Sequence, residues 1–125
     1  MLIPHLHFYG ECKKAIALYE EAFNTKVDNI DYTEDNHIIH SSMKIHGQTV
    51  FLNDNHEMFN IKDISLNYPV HIIISFETKE ELLTCYEILK DDRTTGNPFV
   101  KTSYSELVGN FKDKFGMLWG FMVHS

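Results

Sequence analysis

The stretch His5-Leu6-His7-Phe8-Tyr9-Gly10-Glu11-Cys12-Lys13-Lys14-Ala15-Ile16-Ala17-Leu18-Tyr19-Glu20-Glu21-Ala22-Phe23 reads as a strand running directly into a helix. Residues 2–9 are apolar or aromatic with alternation, the period of an extended chain, and Gly10-Glu11 ends the run. From 11 to 23 the spacing changes. Ala15, Ile16, Leu18, Tyr19, Ala22 and Phe23 recur every three or four positions, and Lys13, Lys14, Glu20 and Glu21 take the opposite face, which predicts an amphipathic helix. Asn24-Thr25 follows as a stop, asparagine being able to take a left-handed cap.

Working outward, residues 26–33 read as a strand, Glu34-Asp35-Asn36 as a polar turn, and 37–46 as a second strand. Gly47-Gln48 reads as a hairpin turn into a strand over 49–53. Residues 54–67 are irregular and polar, long enough to suggest a lid or a linker. The pattern then restarts. Residues 70–76 form a continuous apolar strand, expected to be buried on both faces. Thr78 stands as N-cap with Glu81 at the capping-box position, ahead of a stripe of Leu82, Leu83, Tyr86, Ile88 and Leu89. Asp91-Asp92-Arg93 breaks that helix, and 98–104, 107–112 and 117–123 read as three further strands.

Both halves thus read strand, helix, strand, strand, strand. Laying Tyr19 on Tyr86 places Tyr9 on Phe76, Ile16 on Leu83 and Phe51 on Leu118. The repeat lies in the pattern of elements rather than in the letters. A βαβββ unit covers one sheet face with its helix and leaves the other bare. The expected fold is therefore α+β, two βαβββ modules whose curved mixed sheets surround a cavity. The boundaries expected within the single domain are about 1–54 for module 1, 55–68 for a linker and 69–125 for module 2. Small-molecule sites commonly form at such junctions.

Composition narrows the function classes. The chain has 125 residues, enough for one core, and a formal charge of −7. That charge repels phosphate backbones, and no Lys/Arg cluster offsets it, so nucleic acid is not expected as a partner. No apolar run approaches the roughly 18 residues of a membrane span, and the start lacks the pattern of a secretory signal, so the expected compartment is the cytoplasm. Cys12 and Cys85 are expected as free thiols, and neither belongs to a CxxC pair. There is no Gly-x-Ser-x-Gly elbow.

The opening stretch, with its aromatic-Gly turn at Tyr9-Gly10 and its Tyr-x-x-x-Phe ending at Tyr19 and Phe23, resembles the first strand and helix of the PhnB-like branch of the vicinal-oxygen-chelate superfamily. This is the superfamily of glyoxalases, bleomycin-resistance proteins and dioxygenases. The stretch Gly109-Asn110-Phe111-Lys112-Asp113-Lys114-Phe115-Gly116-Met117-Leu118-Trp119 is similar to the branch's closing Asp-x-Phe-Gly-x-x-Trp hairpin, and the resemblance covers nearly the whole chain.

The metal enzymes of that superfamily take four side chains from strands near the cavity centre. The resemblance puts those positions at Pro4, His71, Gly120 and Asn53. Proline and glycine carry no side-chain donor and an amide oxygen is weak for a transition metal, so no metal is expected. If a divalent ion is held, His71 and His5 are its ligands, which needs the first strand shifted by one residue. His5 and His7 share a strand face, but their facing is open. Leu6 and Phe8 should seek the helix, sending the histidines to the cavity, whereas the helix alignment implies the reverse. His37 and His40 should face opposite ways unless a bulge intervenes. The candidate ligand-binding residues are His71, His5, His7, Phe8, Phe51, Asn53 and Trp119, with Asp54 the nearest carboxylate to an acid–base histidine; no catalytic residue is named.

The expected function is metal-free binding of a small molecule in the inter-module cavity of a homodimer, or catalysis whose chemistry the sequence does not display. The alternative is a metal-dependent lyase, isomerase or dioxygenase of the glyoxalase type. Some members of the branch carry the label demethylubiquinone methyltransferase. Methyl transfer ranks lowest, because transfer from S-adenosylmethionine commonly uses a Gly-rich strand-to-helix turn and Gly10 is the lone glycine at this one.

Overall fold

The computed structural model describes residues 1–54, 71–93 and 97–124. The chain divides into two compact units, Met1–Leu66 and Asn67–Ser125. The expected linker at 55–68 lies outside the described residues.

In the first unit β1 (His5–Phe8) leads into α1 (Cys12–Ala22), followed by β2 (Val27–Tyr32), β3 (Ile38–Ile45) and β4 (Gln48–Asp54). The sheet order is β1-β4-β3-β2, with β1 parallel to β4 and the other neighbours antiparallel. α1 buries Cys12, Ala15, Ile16 and Tyr19, the stripe expected from the spacing with Cys12 added. Its end is a Schellman closure. Asn24 is left-handed at φ 49°, and the Thr25 N–H donates to the Glu20 carbonyl at 3.1 Å. The hairpin turn is His46-Gly47 rather than Gly47-Gln48. Both residues have positive φ, 50° and 79°, as a two-residue turn of right-handed twist requires.

The second unit runs β5 (Ile72–Phe76), α2 (Lys79–Leu89), β6 (Val108–Lys112) and β7 (Leu118–Val123), in a sheet of order β5-β7-β6. Thr78 caps α2, its hydroxyl accepting from the Glu81 N–H at 3.2 Å. The strand expected over 98–104 is reduced to one bridge between Val100 and Val108. Pro98 brings no N–H to a ladder. The Asn97 side chain takes the Phe99 N–H at 2.9 Å, and Thr102 turns the chain by pairing with the Ser105 carbonyl. Residues 70–76 were expected to be buried on both faces; within β5, Ile74 and Phe76 are buried while Ile73 is 61 % exposed.

Both sheets are therefore mixed, each carries one helix, and the class is α+β. Burial phases the repeat differently from the tyrosine alignment. Leu6 and Phe8 correspond to Ile74 and Phe76, and Val50 and Leu52 to Trp119 and Phe121. An aromatic cluster of Phe76, Tyr86, Phe99, Phe111 and Phe121 fills the second core, with ring centroids from 4.8 to 6.4 Å apart.

Candidate functional site

Alternation along β1 places the candidates of the first unit. Leu6 and Phe8 are buried and His5 and His7 are exposed, so the histidines occupy the sheet face away from α1. Hydrophobicity decides their facing, and the reverse reading from the helix alignment does not hold. Parallel pairing sets His5 opposite Phe51 and His7 opposite Asn53. The His7 Nδ1 and the Asn53 Oδ1 are 2.8 Å apart, so the imidazole donates and the amide oxygen accepts. The His5 and His7 rings lie 4.2 Å apart, and the His5 ring meets Phe51 edge-on at 5.9 Å.

His40 joins this group from β3. A register shift between Asp31 and Tyr32 sets them against His40 and Ile38, leaving Ile39 as an extra residue. Ile38 stays buried while the His40 ring packs edge-on to Phe51 at 4.7 Å. A bulge does intervene between His37 and His40, and His37, which precedes β3, lies 3.8 Å from the buried Asp54. Partial burial, then the neighbouring His7 and His40, hold the His5 pKa below its ordinary value.

Asp54 lies across the sheet from His5, His7 and His40 and is no acid–base partner for them. It is 6 % exposed on the α1 side, where it accepts the N–H groups of Gly10 at 2.8 Å, Cys12 at 3.0 Å and Ile38 at 3.1 Å. Phe8, 3 % exposed, packs against Tyr19 and is a core residue. Trp119, 1 % exposed, is also core. Its indole N–H donates to Asp113 at 2.9 Å, and the same carboxylate accepts from Phe115 and Met117. The Asp-x-Phe-Gly-x-x-Trp motif is thus a turn organised around one buried aspartate.

In the second unit His71 precedes β5 and lies against Gly120 of β7. A Cβ at 120 would stand 2.9 Å from the His71 Nε2 and 3.0 Å from the Asn110 Oδ1. Gly120 pairs with Ile73 on one side and Asn110 on the other, so all these groups share the face opposite α2. Asn110, like His40, is absent from the candidates that the sequence offers. Its signal was the alternation with buried Phe111.

The donor positions can now be tested. The Pro4 carbonyl accepts the Phe51 N–H at 2.9 Å, and Asn53 is bonded to His7. At 120 the room for a side chain is filled by His71 and Asn110. By the phasing of burial, the counterpart of His71 is Ile3 rather than Pro4. Among the described residues no three His, Cys, Asp or Glu side chains group to hold a metal ion. These residues do not fit the superfamily's donor set.

Burial also pushes the Cys12 and Cys85 thiols up to about 12, with Asp54 adding to the effect at Cys12, so neither serves as a nucleophile near neutral pH. Among the described residues no helix is long and apolar enough to cross a membrane.

Comparison with known proteins agrees with this architecture. The PhnB protein from Bacillus cereus superimposes with a TM-score of 0.81 at 22 % identity, covering 98 % of both chains. A glyoxylase/bleomycin resistance protein/dioxygenase domain from Frankia sp. EAN1pec gives 0.74 at 15 %, covering 100 % of this chain and 91 % of that one. A bleomycin-binding protein complexed with bleomycin gives 0.63 at 10 %, covering 100 % and 98 %. No curated protein matches the sequence. A family model described as 3-demethylubiquinone-9 3-methyltransferase matches residues 1–122. The methyltransferase in that description is a family name, and the chain belongs to this family, the PhnB-like branch of the vicinal-oxygen-chelate superfamily.

Proposed function

We propose that this protein binds a small organic molecule on the helix-free faces of its sheets, without a resident metal and as a homodimer. The observation that carries the reading is the grouping of His5, His7, His40 and Asn53 around Phe51 on such a face. It combines hydrogen-bonding edges with an aromatic surface, the usual lining of a ligand site, and contains no carboxylate donor in the place of a superfamily ligand. The structurally similar bleomycin-binding protein, complexed with bleomycin, supports a binding role for the fold. Two buried free thiols suit a reducing compartment, in keeping with the cytoplasm. Among the described residues β2 stands at the edge of the first sheet, and pairing of such an edge favours a dimer.

The second reading is a metal-dependent lyase, isomerase or dioxygenase of the glyoxalase type. Its support is the likeness in fold to the solved glyoxylase/bleomycin resistance protein/dioxygenase domain. Metal analysis of protein purified without a histidine tag separates the two readings. A substoichiometric metal content with retained ligand binding is expected, and one tightly held ion per chain would favour the second. Calorimetric titration with S-adenosylmethionine tests methyl transfer, and no heat of binding is expected. Light scattering at micromolar concentration should give a dimer.

A further inference from the structure

We propose that the helix-free face of the first unit selects a flat aromatic carboxylate, its ring laid on Phe51 and its anionic group held by the surrounding imidazoles and Lys44. The inference deepens the binding role proposed above and rests on it. Phe51 lies centrally, half-buried, with the His5 and His40 rings edge-on to it at 5.9 and 4.7 Å. These contacts gather imidazole nitrogens around one aromatic ring.

Strand pairing gives the charged and polar groups sharing this face. β1 brings His5 and His7, β4 brings Thr49 and Asn53, β3 brings His40, Ser42 and Lys44, and β2 brings Asn29 and Asp31. With histidine neutral, Lys44 offsets Asp31 across these pairs, in a chain whose formal charge on the same count is −7. These pairs are therefore less acidic than the molecule as a whole, and the imidazole N–H groups and the Lys44 ammonium can donate to an anion.

The test is isothermal titration calorimetry of the full chain with 2-naphthoate, with its neutral counterpart 2-naphthamide and with inorganic phosphate. Naphthoate should bind about tenfold more tightly than the amide, the worth of one charge-assisted hydrogen bond. Phosphate, lacking a ring, should bind more weakly than naphthoate. Phe51→Ala should weaken both aromatic probes. The double variant His5→Gln, His40→Gln should weaken naphthoate at least tenfold and leave the amide within about twofold. These side chains lie outside the helix-packed core, and circular dichroism checks that each variant folds.

Equal affinity for naphthoate and naphthamide, with Phe51→Ala weakening both, would overturn the carboxylate assignment and leave the binding face standing. Naphthoate binding unmoved by either variant would place the site elsewhere and overturn both. No aromatic binding, together with dimerisation abolished by Phe51→Ala, would make the face a contact between copies and overturn the proposal.

Discussion

Asp54, the last residue of β4, accepts the backbone N–H of Cys12, the first residue of α1, at 3.0 Å. The residue at the helix N-cap, Glu11, makes no side-chain cap, so a carboxylate 42 positions away performs the task. It also accepts from Gly10 and Ile38, fixing the strand-to-helix turn and the start of β3 with one side chain. A negative charge there also suits the helix dipole. Asp54→Ala leaves these N–H groups without their acceptor and should cost about 2–4 kcal/mol. Asp54→Asn keeps one accepting oxygen and should lose less. Urea unfolding checks the order, wild type above Asp54→Asn above Asp54→Ala; a midpoint unchanged in Asp54→Ala would remove the bracing role.

The thiols give a second test. Burial raises both Cys12 and Cys85 to about 12, so almost no thiolate exists in the folded protein at pH 8. Iodoacetamide should leave the native chain unlabelled over an hour and modify both cysteines in guanidinium, as read by intact mass. Rapid native labelling would show that one thiol is not packed as described.

His5 gives a pH signature whose sign follows from its surroundings. Its pKa in the folded state is lowered from 6.5, first by burial and then by His7 and His40. The unfolded chain therefore takes up the proton more readily than the folded one. The stability His5 contributes is present above about pH 6.5 and is lost as pH falls through the lowered folded value. In a proton NMR titration the His5 ring should move at a lower pH than an unperturbed imidazole. His7→Ala should bring its midpoint part of the way back, since burial, the larger cause, remains. A midpoint unmoved by His7→Ala would mean that the two imidazoles are not coupled.

Much of this architecture was readable from local pattern. The stripe along α1, the left-handed Asn24 and the Thr78 cap each depend on neighbours within a few residues, and sequence carries such signals directly. The site was less readable because it is built by pairing across strands. Alternation of Leu6 and Phe8 was enough to turn His5 and His7 outward, but the competing helix alignment obscured it. That alignment presumed one constant interval between the halves. Burial instead phases strands and helices by different intervals, so Phe76 answers to Phe8 and not Tyr9. The bulge at Ile39, which brings His40 to Phe51, has no local sequence signal at all. Trp119 and Phe8 read equally well as core or as lining, since aromatics serve both, and the Asp113 bond and the Tyr19 contact assign them to packing.

Gly120 supplies the sharpest test of the second unit. An added Cβ there would stand 2.8 Å from the His71 Cδ2 and 3.0 Å from the Asn110 Oδ1, closer than such atoms pack. The backbone of β7 is held on both sides by β5 and β6, so the side chains must yield first. Gly120→Ala should therefore push the His71 ring and the Asn110 amide off the sheet face. The expected cost in stability is about 1–3 kcal/mol, as for overpacking generally. The His71 ring resonances should shift while those of His5 and His7 stay in place, because the first unit has its own sheet. If His71 also takes part in ligand binding, affinity should fall in Gly120→Ala and in His71→Ala alike. A Gly120→Ala spectrum with the His71 signals unchanged would show that the ring does not occupy the space that glycine leaves.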